Sequence, residues 1–188
     1  MLEERKSRLK QALSDPDEEV CRAAAEALEM LESVQELDRI LASLGGGSRG
    51  QRVQAIFALE RVNSPRVFPP LLECLSQADP DLRAAAVQVL GRKKNPKIIP
   101  NLLRHLKDPH PAVRVHAAEA LGHFPDRRLV PYLAVLLKAP DGELVCSAVR
   151  SLGAIGAPEA EPHLLPLISD PRPAVRREAA RSLGRLDL

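Results

Sequence analysis

The sequence predicts an all-α fold, a right-handed solenoid of six helical hairpins of about 31 residues each. The first observation is a leucine that returns at every thirty-first position, and the second is an alanine four residues before it. A period of this length is typical of repeat proteins, in which each unit buries its apolar face against its neighbours. The third is that aromatic residues make up only 2% of the chain and Trp is absent. A core of Leu, Ala, Val and Ile suits stacked helices.

The two series define a complete set of repeats in one domain, 1–188. The leucines are Leu28, Leu59, Leu90, Leu121, Leu152 and Leu183. The alanines are Ala24, Ala55, Ala86, Ala117, Ala148 and Ala179. The repeats span approximately residues 2–32, 33–63, 64–94, 95–125, 126–156 and 157–187. Each is predicted to hold a first helix (A), a turn and a second helix (B). We call a set of equivalent positions in different repeats a slot.

Residues 108–122, DPHPAVRVHAAEALG, show the features of one turn and its B helix. Asp108 and Pro109 end the A helix, and Pro111 suits the first turn of the B helix, where a missing N–H costs nothing. Apolar residues then recur at helical spacing. Gly122 is expected to end the helix in a left-handed cap.

This motif resembles the short HEAT-like repeat of the phycobilisome-lyase type, and the resemblance extends over the whole chain. The matching residues in repeat 4 are Asp108, Pro109, Val113, Arg114, Ala117, Ala118, Ala120, Leu121 and Gly122. Those in repeat 6 are Asp170, Pro171, Val175, Arg176, Ala179, Ala180, Leu183 and Gly184. The resemblance implies a superhelix whose concave face is lined by B helices. It carries less information about function, because one scaffold hosts many activities.

The Asp and the Arg of this motif are predicted to pair as a structural ladder. Repeats 4 and 6 contain both residues, whereas repeat 5 lacks both and has Ala139 and Val145 in their slots. In repeat 2, four glycines within residues 45–50 replace Asp-Pro and predict the most flexible loop of the chain.

The net charge of +2 is unevenly distributed. Residues 1–47 contain 6 Lys/Arg and 11 Asp/Glu, and residues 48–188 contain 21 and 14. The asymmetry indicates either orientation of a charged partner or an ordinary solvated surface. Nucleic-acid binding is one alternative, but the small net charge and the scarcity of stacking aromatics do not favour it. Its candidate phosphate contacts are Arg92, Lys93, Lys94, Lys97, Arg114, Arg127 and Arg128.

A metal site in repeat 4 is a weak alternative. His116, Glu119 and His123 share one face of a helix, and neutral His with a carboxylate can bind Zn or Fe. The plainer interpretation is an exposed polar face. A HEAT-like enzyme family, deoxyhypusine hydroxylase, holds di-iron with adjacent His-Glu pairs, and no such pair occurs here.

The remaining features indicate a cytoplasmic protein without a cofactor. Cys21, Cys74 and Cys146 are widely separated and are interpreted as reduced thiols. The first ten residues lack the apolar core of a signal peptide, and no apolar stretch reaches the length of a membrane span. No nucleophile motif or phosphate-binding loop is present.

The most favoured function is a non-catalytic scaffold or adaptor that binds a protein partner on the concave B-helix face. Val53, Ala84 and Val115 are expected to give this groove an apolar centre between charged ends. The alternative is a bilin lyase-like accessory or chaperone subunit. The C-terminal repeat is also expected to dimerise or to continue into further repeats, since Ala179, Ala180 and Leu183 would lose one side of their packing. The predicted binding residues are Arg22, Glu26, Phe57, Arg61, Gln88, Arg92, His116, Glu119, His123, Arg150, Arg177, Arg181 and Arg185.

Overall fold

The computed structural model describes residues 2–186, and every regular element within them is helical. The α-helices are α1 (Leu2–Ala12), α2 (Glu18–Gly46), α3 (Arg49–Ala58), α4 (Phe68–Cys74), α5 (Pro80–Arg92), α6 (Ile99–His105), α7 (Pro111–Leu121), α8 (Val130–Leu136), α9 (Gly142–Ile155), α10 (Glu161–Leu164) and α11 (Pro173–Leu183). Short 3₁₀ segments lie at Pro65–Val67, Pro96–Ile98, Arg127–Leu129, Pro158–Ala160 and Leu165–Ser169. The all-α solenoid prediction is confirmed.

The chain divides into two compact units, Met1–Ser64 and Pro65–Leu188. In the first unit, α1 and α3 both pack against α2. In the second unit, the A helices α4, α6, α8 and α10 each pack against the B helix that follows in sequence. The B helices α5, α7, α9 and α11 pack against one another in chain order. The B helices therefore form one continuous row within the second unit.

Repeats 1 and 2 are not separated by a turn, and this differs from the prediction. The B helix of repeat 1 and the A helix of repeat 2 are one continuous helix of 29 residues, α2. Proline follows the B helix at Pro65, Pro96 and Pro158, whereas residues 30–36 contain neither proline nor glycine. With no residue to end it, the helix continues across the expected boundary.

The prediction of a loop at 45–50 is wrong for most of these residues. Helix α2 continues through Gly46, and α3 begins at Arg49, so only two residues connect them. Ser48 and Gln51 form a reciprocal capping box: the Ser48 backbone N–H donates to the Gln51 side chain, and the Gln51 N–H donates to Ser48 Oγ. This cap satisfies the free N–H groups that begin α3 and defines the turn.

The repeated apolar slots form the core, as predicted. Leu59, Leu90, Leu121 and Leu152 are fully buried, and Leu28 is 8% exposed. All six alanines of the second series are buried. Ala179 is among them, so the expectation that it loses one side of its packing is wrong, although Ala180 is exposed and Leu183 half-buried.

A second role of the motif is to hold the turn between the A and B helices. The side chain in the motif's arginine slot donates hydrogen bonds to backbone carbonyls of its own turn. Arg83 binds the Gln77 and Ala78 carbonyls, at 2.9 and 2.8 Å. The other examples are Arg52 to Leu44, Arg114 to Asp108 and Pro109, and Arg176 to Asp170 and Pro171. In repeat 1, the thiol of Cys21 occupies this slot and donates to the Leu13 and Asp15 carbonyls.

The predicted Asp–Arg ladder is confirmed between repeats 3 and 4. Arg83 Nε and Nη2 bind the two carboxylate oxygens of Asp108 at 2.9 and 2.8 Å. These side chains are only 12% and 5% exposed. Asp108 also accepts a hydrogen bond from the His110 N–H at 2.9 Å. One carboxylate thus fixes its own turn and the neighbouring repeat.

Repeat 5 compensates for its missing pair through the repeat that follows. Val145 cannot donate to the turn, and Arg172 of repeat 6 instead donates to the Ala139 carbonyl at 3.3 Å. The same guanidinium binds both oxygens of Asp170, 2.9 Å from each. These Arg172 hydrogen bonds outweigh the opposing effect of burial and lower the pKa of Asp170 to about 2.

Successive B helices approach each other at a glycine. A Cβ atom built on Gly122 would lie 2.8 Å from Cβ and 2.9 Å from Cα of Ser151, and one on Gly153 would lie 2.5 and 2.7 Å from the same atoms of Ser182. The two serines also donate hydrogen bonds to the Ala118 and Val149 carbonyls of the preceding helix. The predicted left-handed cap at Gly122 is wrong, since its φ is −66°. The glycine is required by close helix packing.

We expect Gly153→Ala to destabilise the protein by about 1–3 kcal/mol, because the added methyl group would displace the Ser182 backbone. Gly184 is the matched control, since it occupies the same slot and the nearest atoms to a built Cβ are at 3.7 and 3.8 Å. Gly184→Ala should be neutral or stabilise by up to about 1 kcal/mol. Urea denaturation followed by circular dichroism measures both. Equal effects at the two sites would contradict the close-packing explanation.

Removal of the Asp108 carboxylate is expected to destabilise the fold in a pH-dependent manner. Burial disfavours the charged form of Asp108, but hydrogen bonds from Arg83 and the His110 N–H outweigh burial, and the pKa lies below its usual value of 3.8. The carboxylate therefore stabilises the fold at pH values above about 4, and this contribution is lost as the pH falls through the folded-state pKa. Asp108→Ala should cost about 3–5 kcal/mol at pH 7, and less in acid.

The control for Asp108→Ala is Glu159→Gln, which removes an exposed ion pair between repeats. Arg127 Nη1 lies 3.6 Å from Glu159 Oε1, and the side chains are 77% and 53% exposed. A change under about 1 kcal/mol is expected, since water screens this pair. Denaturation of both variants between pH 3 and 8 provides the test. An Asp108→Ala deficit that is unchanged across this range would contradict the linkage.

Candidate functional site

The second unit presents a row of polar side chains along its B helices, called here the B-helix face. Its members come from α5, α7, α9 and α11 and from the residues that directly follow α7 and α11. They are Gln88, Arg92, His116, Glu119, His123, Arg150, Arg177, Glu178, Arg181 and Arg185. Except for Gln88, all carry an ionisable group. The helix packing fixes their order because each B helix contacts the next.

A chain of ion pairs runs along this face from repeat 4 to repeat 6. Glu119 Oε2 lies 3.0 Å from His116 Nδ1, and its Oε1 accepts from Arg150 Nη1 at 3.1 Å. Arg150 Nε lies 3.5 Å from Glu178 Oε1, and Glu178 Oε2 lies 3.7 Å from Arg181 Nη1. Arg150 therefore bridges carboxylates of the two neighbouring helices, and the face is an organised network.

The network stabilises the charged form of Glu119. The hydrogen bond from His116 outweighs burial and, with the charge of Arg150 and a bond from Ser147, lowers the pKa of Glu119. Ser147 Oγ lies 3.4 Å from Glu119 Oε1. Glu178, with 11% of its side chain exposed, is less accessible than Arg150, at 48%, and Arg181, at 61%. The carboxylates lie inward and the guanidinium groups lie outward.

A second group of cations lies near the end of α5. Burial, followed by the nearby charges of Lys94 and Arg92, lowers the pKa of His123 below its usual 6.5. The positive charges of Lys94 and Arg92 disfavour protonation of the nearby His123. His123 is accordingly neutral at pH 7, while Lys94 and Arg92 keep the local potential positive.

Sequence analysis identified His116, Glu119, Arg150 and Arg181 but missed Glu178, which joins the last two. The repeat pattern could have revealed Glu178, because it occupies the same slot as His116 and Ser147. All three residues contact members of the chain of ion pairs. A comparison of charge sign between neighbouring slots would have identified the pair.

The apolar centre predicted for the groove is absent. Val115 is 4% and Ala84 9% exposed, because neighbouring helices cover their slot in the middle of the array. Val53 is half-buried and belongs to the first unit. Four further predicted binding residues are also in the first unit and all are exposed: Arg22, Glu26, Phe57 and Arg61. Phe57 is at 36%.

The metal alternative is not supported by the geometry. Across residues 2–186, no three His, Cys, Asp or Glu side chains are placed to share an ion. Glu119 directs one oxygen at His116 and the other at Arg150 and Ser147. His116, Glu119 and His123 are therefore not assembled as a ligand set.

The cysteines show no features of a nucleophile. None of the three forms a disulfide; Cys74 is buried, and the Cys21 thiol donates to turn carbonyls. Burial and the nearby charge of Glu178 raise the pKa of the Cys146 thiol. A raised pKa favours the protonated form, which is a poor nucleophile.

The basic residues considered for nucleic-acid contacts do not form one open surface. Arg114 donates to the Asp108 and Pro109 carbonyls, Arg128 pairs with Asp126, and Arg127 lies 3.6 Å from Glu159. Lys97, Arg127 and Arg128 lie in the 3₁₀ segments before A helices, whereas Arg92 and Lys94 lie at the end of a B helix.

Among residues 2–186, no helix combines the length and apolarity needed to cross a membrane.

Comparison with solved structures identifies several similar helical repeat proteins. The phycocyanin lyase complex of CpcE and CpcF from Nostoc sp. PCC7120 gives a TM-score of 0.70 at 28% identity, over 80% of this chain. This chain spans 64% of the length of that one. YibA of Escherichia coli gives 0.65 at 20% identity, over 97% of this chain and 72% of its own.

A designed armadillo repeat protein in complex with the peptide (KR)4 gives a TM-score of 0.61 at 18% identity, over 96% and 98% of the two chains. No curated protein is matched by the sequence. The family model for the PBS lyase HEAT-like repeat matches residues 51–77. The model for HEAT repeats matches residues 68–148 and 129–188, which is more than half of the chain. The chain therefore belongs to the HEAT repeat family.

Proposed function

We propose that this protein is a non-catalytic scaffold or adaptor that binds a protein partner on its B-helix face. The observation that carries the proposal is the line of ionisable side chains across four packed B helices. The close contacts at Gly91, Gly122 and Gly153 hold these helices in fixed register, and ion pairs between repeats hold several side chains in place. A preorganised polar surface of this kind favours specific association because less side-chain freedom is lost on binding.

The similarity to a lyase subunit complex and to a designed peptide-binding repeat protein supports a protein as partner. The designed protein has low identity and shares the scaffold alone, so its peptide does not indicate the ligand here. The side chains decide the ligand, because a solenoid presents whichever residues occupy its outward slots.

The proposal predicts that charge reversals on the B-helix face remove partner binding. Arg177 and Arg185 suit this test because both are exposed and lie outside the buried core. The double variant Arg177→Glu/Arg185→Glu should fold normally and should lose at least about 90% of the partner captured from an extract of the source organism. Quantitative mass spectrometry after affinity capture measures the loss.

The matched control is Arg104→Glu/Lys107→Glu, which makes the same change in net charge at exposed residues at and beyond the end of the A helix α6. This variant should capture the same partner as the wild-type protein. Equal capture by all three proteins, with unchanged circular dichroism, would contradict a binding site on the B-helix face.

A second function, a bilin lyase-like accessory subunit, is favoured by the 28% identity to the phycocyanin lyase complex. Under the scaffold proposal, the protein should leave the absorbance spectrum of free bilin unchanged at micromolar concentration. Titration of bilin with the protein measures this, with serum albumin as a control for nonspecific uptake. A saturable shift of the absorbance bands at one equivalent would favour the accessory subunit.

A further inference from the structure

We propose that the B-helix face recognises an acidic, extended segment of its protein partner; this inference rests on the proposed function and names the chemistry of the ligand. It is carried by a difference in accessibility. The acids of this face are turned into the ion-pair network, and its arginines reach solvent. A ligand that approaches the face therefore meets guanidinium groups first.

The charges of the face separate by depth. Glu178 is 11% exposed and contacts both Arg150 and Arg181. Glu119 is 36% exposed, and its two oxygens contact His116 and Arg150. Each acid thus has two basic neighbours within 4 Å. Arg177 and Arg185 are exposed on and beyond α11 and add to the excess.

The two ends of the face are positive as well. At the end of α5, Arg92 and Lys94 are exposed; burial, together with their charges, lowers the pKa of His123. At the other end, Arg177, Arg181 and Arg185 lie within nine residues of sequence. Arg150 lies between the two ends and bridges α7 and α11. A ligand with carboxylates along its length would meet Lys94 at the end of α5, Arg150 on α9 and the arginines of α11.

The spacing of the helices defines the length of the ligand. Three steps separate α5 from α11, and packed helices lie roughly 8–10 Å apart, so the face is about 24–30 Å long. An extended peptide covers up to about 3.5 Å per residue. Roughly eight residues therefore span the face. Carboxylates suit the exposed guanidinium groups because the fork of N–H donors matches their two oxygens.

The same face is less suited to a nucleic acid. Single strands require aromatic side chains on which bases stack. Phe124 is buried, and Tyr132 lies on the A helix α8, so neither aromatic ring of repeats 4 and 5 lies on this face. A peptide needs no such platform.

Fluorescence anisotropy with the full chain tests the proposal, with a labelled eight-glutamate peptide as the probe. The peptide should bind saturably in 50 mM salt and at least about fivefold more weakly in 300 mM salt, since salt screens exposed charges. Arg177→Glu/Arg185→Glu should weaken binding at least about tenfold. Arg104→Glu/Lys107→Glu should leave it within about twofold, and a labelled (Lys-Arg)4 peptide should not bind.

Three outcomes would overturn the inference. They are no binding of the glutamate peptide by the folded wild-type protein, equal weakening by both double variants, and tighter binding of double-stranded DNA that is lost only in Arg177→Glu/Arg185→Glu. The proposed function fails separately. If the captured partner is lost in that variant but the glutamate peptide does not bind, the B-helix face is the site and its ligand is not acidic.

Discussion

The structure depends on the absence of side chains where successive B helices meet. At Gly91, Gly122 and Gly153, the backbone of the next helix occupies the space of a Cβ atom. This contact brings the helices close enough for the serines of repeats 5 and 6 to bind carbonyls of the preceding repeat. Close packing also fixes the register of the outward slots, because protein interiors leave little freedom to slide. The arrangement of side chains on the B-helix face therefore depends on these close contacts.

Side-chain hydrogen bonds satisfy backbone carbonyls of the turns that apolar packing does not satisfy. The turns between A and B helices expose backbone carbonyls, and a side chain in the arginine slot binds them in most repeats. Where the slot holds Val145, an arginine of the next repeat supplies the missing donor. Each turn needs a hydrogen-bond donor for its carbonyls, but the residue that supplies the donor differs between repeats.

The charged face illustrates how a stacked array organises function. The residues linked in its network come from three helices and are far apart in sequence, yet stacking places them in hydrogen-bonding distance. The network pairs the acids internally and leaves arginines outward. The positive character of this face thus follows from which side chains are accessible, since the formal net charge of the whole chain is only +2.

The sequence by itself determined the period, the helical class, the buried leucines and alanines, and a pairing between the motif's Asp and Arg, because each follows from residues that recur at fixed spacing. The continuous helix α2 and the short turn before α3 also have local causes, in residues 30–36 without Pro or Gly and in the Ser48–Gln51 capping box. Tertiary structure alone decided the role of Gly122 and the burial of Val115. It also decided the place of Glu178 in the network. These features depend on how closely the neighbouring repeat packs, and the spacing of residues along the sequence does not specify that distance.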